Sequence, residues 1–157
     1  MIDRERLRIQ LAKHEGCRQF VYDDATGRPV AVGSQIRGRL TVGIGRNLED
    51  KGLSEDEIRY LVDNDIADAI REAHKFRWFD ALDGVRQAVI VELIFNMGLP
   101  RLLGFKKFLA AMSEQRWPHA AAELGNSKWQ KQVDPTLGDG KGRADTLIHM
   151  IKTGAWL

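Results

Sequence analysis

The chain of 157 residues contains one cysteine, Cys17, and four histidines, and this scarcity excludes several kinds of protein. One cysteine cannot form an intrachain disulfide, so stability must come from a packed core. It cannot build a thiolate metal site either, and the histidines show no spacing typical of metal ligands. We therefore expect no metal, no cofactor and no covalent chemistry at the thiol.

Long apolar segments are also missing. The longest apolar run, residues 88–97, is too short to cross a bilayer and includes Glu92. The first residues, MIDRER, are not followed by the apolar stretch of a secretory signal. We expect a protein that is made in a cytoplasm, does not insert stably into a membrane and needs another factor for release if it acts outside.

A strong charge of one sign is absent as well. The 24 basic and 22 acidic residues leave a formal net charge of +2. This small basic excess suits an anionic partner such as a cell wall, a nucleic acid or a membrane surface, and it does not choose among them. Because acidic and basic residues are interspersed without a single basic stripe, nucleic-acid binding is the weaker interpretation.

What the chain does contain is helical periodicity within an apolar fraction of 43%. Asp3 is a suitable cap for a first helix, and the sequence SEDE at residues 54–57 is a capping box before a long one. We predict helices that start near Asp3, Ser54, Asp80 or Asp83, Phe105, Pro118 and Arg143 and end near Gly16, His74, Gly98, Ser113, Leu124 and Lys152.

A different pattern, typical of strands, occupies part of the N-terminal third. Residues 19–22, 29–32 and 40–44 are strand candidates, and residues 23–27 form a turn. We interpret the whole stretch from 18 to 46 as a small antiparallel sheet with a protruding basic loop. Residues 134–142 hold three glycines and a proline, which predicts a second loop.

Four features occur in order in the first third: Glu15 followed by a glycine, Tyr22, Asp24, and the sequence LTVGIG at residues 40–45. This pattern resembles the phage-type lysozymes, the glycoside hydrolase family 24 endolysins of T-even and related bacteriophages. The likeness covers most of the chain, with further landmarks at residues 82–86, 95–98, 104–105, 116–117, 127–129, 142–144 and 153–156.

The resemblance implies a mostly helical α+β fold of one lysozyme-like domain, residues 1–157, with two lobes. The small sheet-containing lobe would span residues 15–53, and a connecting helix would span residues 54–75. The helical lobe would comprise residues 76–157 together with 1–14. The sequence does not reveal the oligomeric state, and a monomer is our default expectation.

The same resemblance implies a muramidase that hydrolyses the β-1,4 bond between N-acetylmuramic acid and N-acetylglucosamine in bacterial peptidoglycan. Such an enzyme would reach the periplasm with the help of a holin and lyse the host cell. The catalytic residues that match the family pattern are Glu15, Asp24 and Thr41. Thr26 lies closer to Asp24 than Thr41 does, but only Thr41 precedes the matching VGIG sequence.

These residue types suit glycoside cleavage, which needs an acid for the leaving oxygen and a carboxylate that assists attack at the anomeric carbon. We expect Glu15 at the negative end of a helix and in a cleft, where both effects favour its protonated form. Asp24, in a polar turn, should stay ionised. The resemblance implies inversion, with Asp24 and Thr41 positioning water, while the sequence alone leaves inversion and retention open.

Substrate contacts are expected from Tyr22, Asn96, Trp129 and Arg143. Packing or capping is an equal alternative for Asn96 and Trp129. Arg143 is placed to hold Glu15, to contact substrate or to pair with Glu92.

Two arginine-bearing features depart from the T-even pattern. Arg46 stands where those proteins have histidine, and we hypothesise that it pairs with Asp65. Residues 28–39 lengthen the hairpin before Thr41, and their arginines either bind an anionic wall or membrane surface or form a solvated tip. These arginines are Arg28, Arg37 and Arg39.

Three other functions compete with a muramidase. A catalytically silent wall-binding homologue would keep the cleft without the chemistry, and the intact Glu15, Asp24 and Thr41 argue against it. A helical nucleic-acid-binding protein would need a basic stripe. A lytic transglycosylase would release anhydro-sugar ends and would not need a water-positioning pair.

Overall fold

The computed structural model describes residues 2–134 and 142–157. It is mostly helical with one small antiparallel sheet, which confirms the predicted α+β class. Within the described residues the elements are α1 (Arg4–Glu15), β1 (Arg18–Asp23), β2 (Leu40–Gly43), β3 (Arg46–Asn47), α2 (Glu55–Ala73), α3 (Gly84–Met97), α4 (Leu99–Leu102), α5 (Lys106–Ser113), α6 (Trp117–Gly125), α7 (Lys128–Val133) and α8 (Arg143–Thr153).

The starts of the first two helices follow the predicted capping. The Asp3 carboxylate accepts a hydrogen bond from the Arg6 amide at 3.0 Å at the start of α1. At the start of α2 the capping box is formed in both directions: the Glu57 amide donates to the Ser54 hydroxyl at 3.3 Å, and the Ser54 amide donates to the Glu57 carboxylate at 2.8 Å.

The sheet has the order β1-β2-β3 with both pairs antiparallel. Tyr22 lies opposite Thr41 in the β1–β2 pair, and Thr41 also lies opposite Asn47 of β3. The predicted strand at residues 29–32 is wrong, because this segment makes only an isolated bridge between Pro29 and Tyr22. Residues 32 and 33 then form a turn, in which the Ser34 amide donates to the Ala31 carbonyl at 3.0 Å, and this turn takes the segment away from β1.

The helices from α3 onward enclose an apolar core. Ile90 and Leu93 of α3 and Leu147 of α8 are all fully buried, and α8 also packs against α6 and α7. The side chain of Asp83 accepts from the Arg86 amide at 3.0 Å, so Asp83, rather than Asp80, caps α3. Phe79–Ala81 forms a separate 3₁₀ turn before it.

The short helices α4 and α7 were not predicted. Gly98 ends α3 with φ of 77°, and the chain re-enters a helix at Leu99 with Pro100 in its first turn, a position where the missing amide costs no helical bond. Ser127 caps α7 by accepting from the Gln130 amide at 3.0 Å. Four to six residues carry too few apolar repeats for periodicity to reveal a helix.

The chain divides into two compact units, Met1–Arg59 and Tyr60–Leu157, which we call the N-terminal and C-terminal units. The finer predicted division, with a connecting segment 54–75 and with residues 1–14 in the helical lobe, stays a prediction. The predicted loop at 134–142 falls mostly on residues 135–141, which lie outside the described part of the chain. No helix of the described residues has both the length and the apolar character needed to cross a membrane.

Candidate active site

Glu15 is the last residue of α1, and its side chain is exposed. The next residue, Gly16, has φ of 75° and ψ of 174°, a backbone region that is almost restricted to glycine. This turn ends the helix and leads the chain into β1 at Arg18. Glu15 is therefore placed where the helix carbonyls point outward and where a glycine fixes the direction of the chain.

The backbone of one residue, Arg39, joins Asp24 to Thr41. The carbonyl oxygen of Arg39 accepts from the Asp24 amide at 3.1 Å and from the Thr41 hydroxyl at 3.2 Å. The amide of Arg39 donates to the Asp24 carboxylate at 2.6 Å. Asp24 and Thr41, which are 17 positions apart, thus become neighbours at the end of the β1–β2 pair.

The two partners differ in exposure. Thr41 is buried, with 4% of its surface accessible, whereas Asp24 is exposed. Tyr22, opposite Thr41, is half-buried, and the guanidinium of Arg18 lies 4.3 Å from the centre of its ring. Thr26, the alternative to Thr41, is exposed in the turn, and its hydroxyl accepts from the Arg28 amide at 3.3 Å.

Asp23, which sequence reasoning took only as part of a turn, organises the extended hairpin. It is 3% exposed, and its carboxylate accepts from the amides of Arg37 at 2.9 Å, Gly38 at 2.8 Å and Ala25 at 3.1 Å. The hydrogen bond from the Arg37 amide, with those from Gly38 and Ala25, holds the pKa of Asp23 below its ordinary value despite the burial. The sequence alone does not show which of the two adjacent aspartates, Asp23 or Asp24, is buried and binds the hairpin backbone.

Gly38 allows the hairpin to close against Asp24. A Cβ atom at this position would lie 2.0 Å from the Asp24 carboxylate and 2.7 Å from the Cβ of Ala25. The side-chain position of Asp24 therefore depends on the absence of a side chain at Gly38.

Two glutamates, Glu49 and Glu57, form ion pairs with arginines in or next to the strands β2 and β3. Glu49 accepts from the Arg39 guanidinium at 2.8 Å and from the Leu40 amide at 3.2 Å, and these bonds lower the pKa of Glu49. Arg46, for which we hypothesised Asp65, instead pairs with Glu57 of α2. The bond from Arg46, together with the Ser54 amide, lowers the pKa of Glu57 to about 2.

In the C-terminal unit, Trp129 is buried with 1% exposure, and its indole N–H donates to the side-chain oxygen of Asn96 at 2.7 Å. Asn96 itself is exposed. The burial favours the packing alternative for Trp129, whose predicted substrate contact stays a prediction. Asn96 is positioned by Trp129 and presents the rest of its amide to solvent.

Arg143 donates from Nε to the Glu92 carboxylate at 2.9 Å, one of the predicted alternatives. Arg143 is the first residue of α8, and Asp134 lies next to this start. Asp134 is 2% exposed, and its carboxylate accepts a hydrogen bond from the Asp145 amide at 3.3 Å. A Cβ atom at Gly142 would lie 1.7 Å from the Asp134 carboxylate. Asp134 thus fixes the start of α8, and it was not identified from the sequence.

The described residues contain no group of three or more side chains suited to a metal ion. The N-terminal unit contains a helix-terminal glutamate, an exposed aspartate and a buried hydroxyl, and the last two both bind the backbone of Arg39. This set is able to move protons and orient water without a cofactor.

Comparison with known proteins finds lysozymes among the chain's relatives. It is 34% identical over 73 residues to "Probable T4-type lysozyme 1" of Dictyostelium discoideum, and that match covers 46% of this chain and 39% of that protein. A match to "Probable T4-type lysozyme 2" of the same organism has 32% identity over 76 residues, with 48% and 41% covered. The chain thus spans about two fifths of the length of these relatives. No family model matches the chain.

A third relative aligns over nearly the whole chain. The "Pre-baseplate central spike protein Gp5" of Enterobacteria phage T4 is 27% identical over 163 aligned residues, which cover 92% of this chain and 27% of that protein. Together these relatives support a lysozyme-like hydrolase.

Proposed function

We propose that this protein is a muramidase that hydrolyses the β-1,4 bond between N-acetylmuramic acid and N-acetylglucosamine in bacterial peptidoglycan. The observation that carries the proposal is the backbone of Arg39, which binds Asp24 through its amide and Thr41 through its carbonyl, in the same unit as the helix-terminal Glu15. Similarity to proteins named T4-type lysozyme supports the substrate class.

Glu15 is the general acid in this proposal. It gives its proton to the glycosidic oxygen as the bond from that oxygen to the anomeric carbon breaks. Glu15 lies at the end of α1, where the last helix carbonyls have no amide partner within the helix. After the reaction, solvent returns the proton to Glu15.

Asp24 and Thr41 position the water that attacks the anomeric carbon. The Thr41 hydroxyl donates its hydrogen to Arg39, so its free lone pair is left to accept a hydrogen bond from the water. Asp24 uses one oxygen for the Arg39 amide, and its exposed carboxylate takes the proton that the water loses. Attack from the face opposite the leaving group inverts the anomeric configuration.

The remaining predicted contacts complete the proposal. Tyr22, Asn96 and Arg143 contact the substrate, and Trp129 acts by holding Asn96. The protein works as a monomer in the periplasm, after holin-assisted release, and lyses the host bacterium.

Lysis of Gram-negative cells with a permeabilised outer membrane tests the activity. The native protein should clear the suspension, and Glu15→Gln should not. Glu5→Gln is the matched control, because it removes the same charge from the same helix at its other end. A native protein that binds walls without clearing them would favour a silent homologue, and a lytic Glu15→Gln would refute the assignment of the acid.

The stereochemistry is tested separately. Proton NMR of a chitooligosaccharide or glycan-strand digest, recorded before mutarotation, should show the α-anomer as the first product of native cleavage. A first-formed β-anomer would mean retention, and anhydro ends would indicate a transglycosylase.

A further inference from the structure

The extended hairpin of the N-terminal unit lines an open cavity of about 530 Å³. Its lining includes Arg28 and Arg37, the apolar side chains of Val30 and Ile36, and Asp23 at its inner wall. This volume lies within the range of small-ligand pockets, and the mixture of apolar walls with a few polar groups is typical of them. Asp23, which lines the cavity, adjoins Asp24 in the chain, so the cavity and this proposed catalytic residue belong to the same hairpin.

Hydrogen bonds within the hairpin fix the main chain around the cavity. The Val30 amide donates to Val21 of β1 at 3.0 Å, and the Asp23 amide donates to the Arg28 carbonyl at 3.0 Å. On the other wall, the Arg37 amide is bound to the buried Asp23 carboxylate. A ligand therefore meets preformed walls and does not have to order them.

The three arginines of the insertion differ in what they bind. Arg39 pairs with Glu49, with the atoms 2.8 Å apart. Across residues 2–134 and 142–157, by contrast, the guanidiniums of Arg28 and Arg37 have no carboxylate partner and no hydrogen-bond acceptor. Two unpaired cations therefore line one cavity.

The Asp23 carboxylate does not neutralise this pair of cations. Its oxygens are occupied by three backbone amides, and it supplies one negative charge against two positive ones. The lining thus keeps a net positive charge and ten guanidinium N–H donors, in the planar arrangement that matches a carboxylate.

We propose that this cavity is a subsite for the acidic stem peptide that peptidoglycan carries on its muramic acid. Arg28 and Arg37 bind the carboxylates of the peptide, and Val30 and Ile36 contact its aliphatic groups. The inference rests on the proposed function, because the stem peptide is joined to the sugar on which Asp24 and Thr41 would act. A concave site with apolar walls favours a short acidic chain over a membrane surface, which needs an outward-facing basic patch.

Binding of a product fragment provides the first test. The probe is the disaccharide N-acetylglucosaminyl-N-acetylmuramic acid carrying its tripeptide, compared by calorimetry with the same disaccharide without the peptide. This probe lacks the bond that the muramidase would cut, so binding is read independently of catalysis. The peptide should tighten binding by about tenfold, the effect of one or two charge-assisted bonds near the surface.

The variant Arg28→Gln/Arg37→Gln should lose that tenfold difference. It should fold, because the backbone amide of Arg37, rather than its guanidinium, holds Asp23. Arg59→Gln/Arg77→Gln is the matched control, with the same change in net charge at two exposed positions outside the cavity, and it should keep the difference.

Cleavage and vesicle binding separate the remaining explanations. With native glycan strands, kcat/KM of the double variant should fall by about tenfold, and with peptide-stripped strands it should not fall. Equal binding of both disaccharides to the native protein overturns the subsite, whether or not the protein cleaves. Peptide-dependent binding without any cleavage keeps the subsite and refutes the muramidase. Arginine-dependent binding to anionic phosphatidylglycerol vesicles, without peptide dependence, overturns the subsite in favour of a membrane surface.

Discussion

The two units of this protein are built in opposite ways. Every buried hydrophobic side chain of the described chain lies in the C-terminal unit, between Ala69 and Ile151. Within residues 2–59 the only buried side chains are polar, those of Asp23 and Thr41. The C-terminal unit is thus organised by apolar packing, and the N-terminal unit by hydrogen bonds and ion pairs.

This difference explains where chemistry is possible. An apolar core stabilises a fold in proportion to the area it removes from water and leaves few polar groups for a reaction. A unit held by carboxylates and amides fixes polar groups at defined distances, as the backbone of Arg39 does for Asp24 and Thr41. Activity and stability should therefore respond to substitutions in different units.

The largest effect should come from Glu15→Gln. It removes the proposed acid, and loss of a general acid lowers kcat by about 10²-fold to 10⁴-fold. Since Glu15 is exposed, the melting temperature should stay unchanged. Kinetics on purified peptidoglycan and a thermal melt measure both, and a large drop in melting temperature would mean that this residue is structural.

Truncation of the apolar core should give the largest effect on stability. Ile90→Ala removes a fully buried side chain of α3, which should lower the free energy of unfolding by about 2–5 kcal/mol. Val42→Ala shortens a half-buried residue of β2 and should cost about 1 kcal/mol or less. Denaturant titration, monitored by circular dichroism, measures both losses of unfolding free energy. Equal losses would contradict the contrast between the units.

Asp23→Asn tests the polar centre of the N-terminal unit. An amide side chain has one oxygen where the carboxylate uses two to bind three backbone amides. We expect at least about tenfold faster hydrogen exchange at the amides of Arg37 and Gly38, with the amides of α3 unchanged. Asp63→Asn, at an exposed position of α2, is the control, and equal protection in both variants would remove the anchoring role of Asp23.

A smaller effect is expected from the Arg46–Glu57 pair under acid. The folded protein holds the pKa of Glu57 at about 2, below its ordinary value of 4.5. The Arg46–Glu57 pair therefore stabilises the fold fully at a pH above 4.5, and this contribution is lost as the pH falls toward 2. Between about pH 6 and about pH 3, the melting temperature of the native protein should fall further than that of Glu57→Gln. Glu55→Gln, two positions earlier in α2, should behave like the native protein, and an equal fall in all three would exclude the pair as an acid-sensitive contact.

Sequence patterns predicted best what depends on neighbouring residues. The cap at Asp3, the capping box at Ser54 and Glu57, and the long α2 all involve contacts within four positions, and the structure contains them. The alternation of residues 29–32 resembled a strand, but pairing depends on a distant partner, and Pro29 forms only one bridge.

Long-range polar contacts were the hardest to foresee. The backbone amides of Arg37 and Gly38 donate to the Asp23 carboxylate across 14 and 15 positions. Because nearly every residue has a backbone amide, residue types do not reveal such bonds. The Arg46 partner was placed on the correct helix, α2, but at the wrong residue, because Glu57 also closes the capping box next to the sheet. The roles of Glu15, Asp24 and Thr41 came from the resemblance and stay predictions.

The central claim is that the N-terminal unit hydrolyses peptidoglycan with Glu15 as the acid. Its most direct test is mass spectrometry of the glycan ends released from purified peptidoglycan by the native protein and by Glu15→Gln. We expect hydrated, reducing N-acetylmuramic acid ends from the native protein and none from the variant. Equal release by the variant, or no release by the native protein, would contradict it.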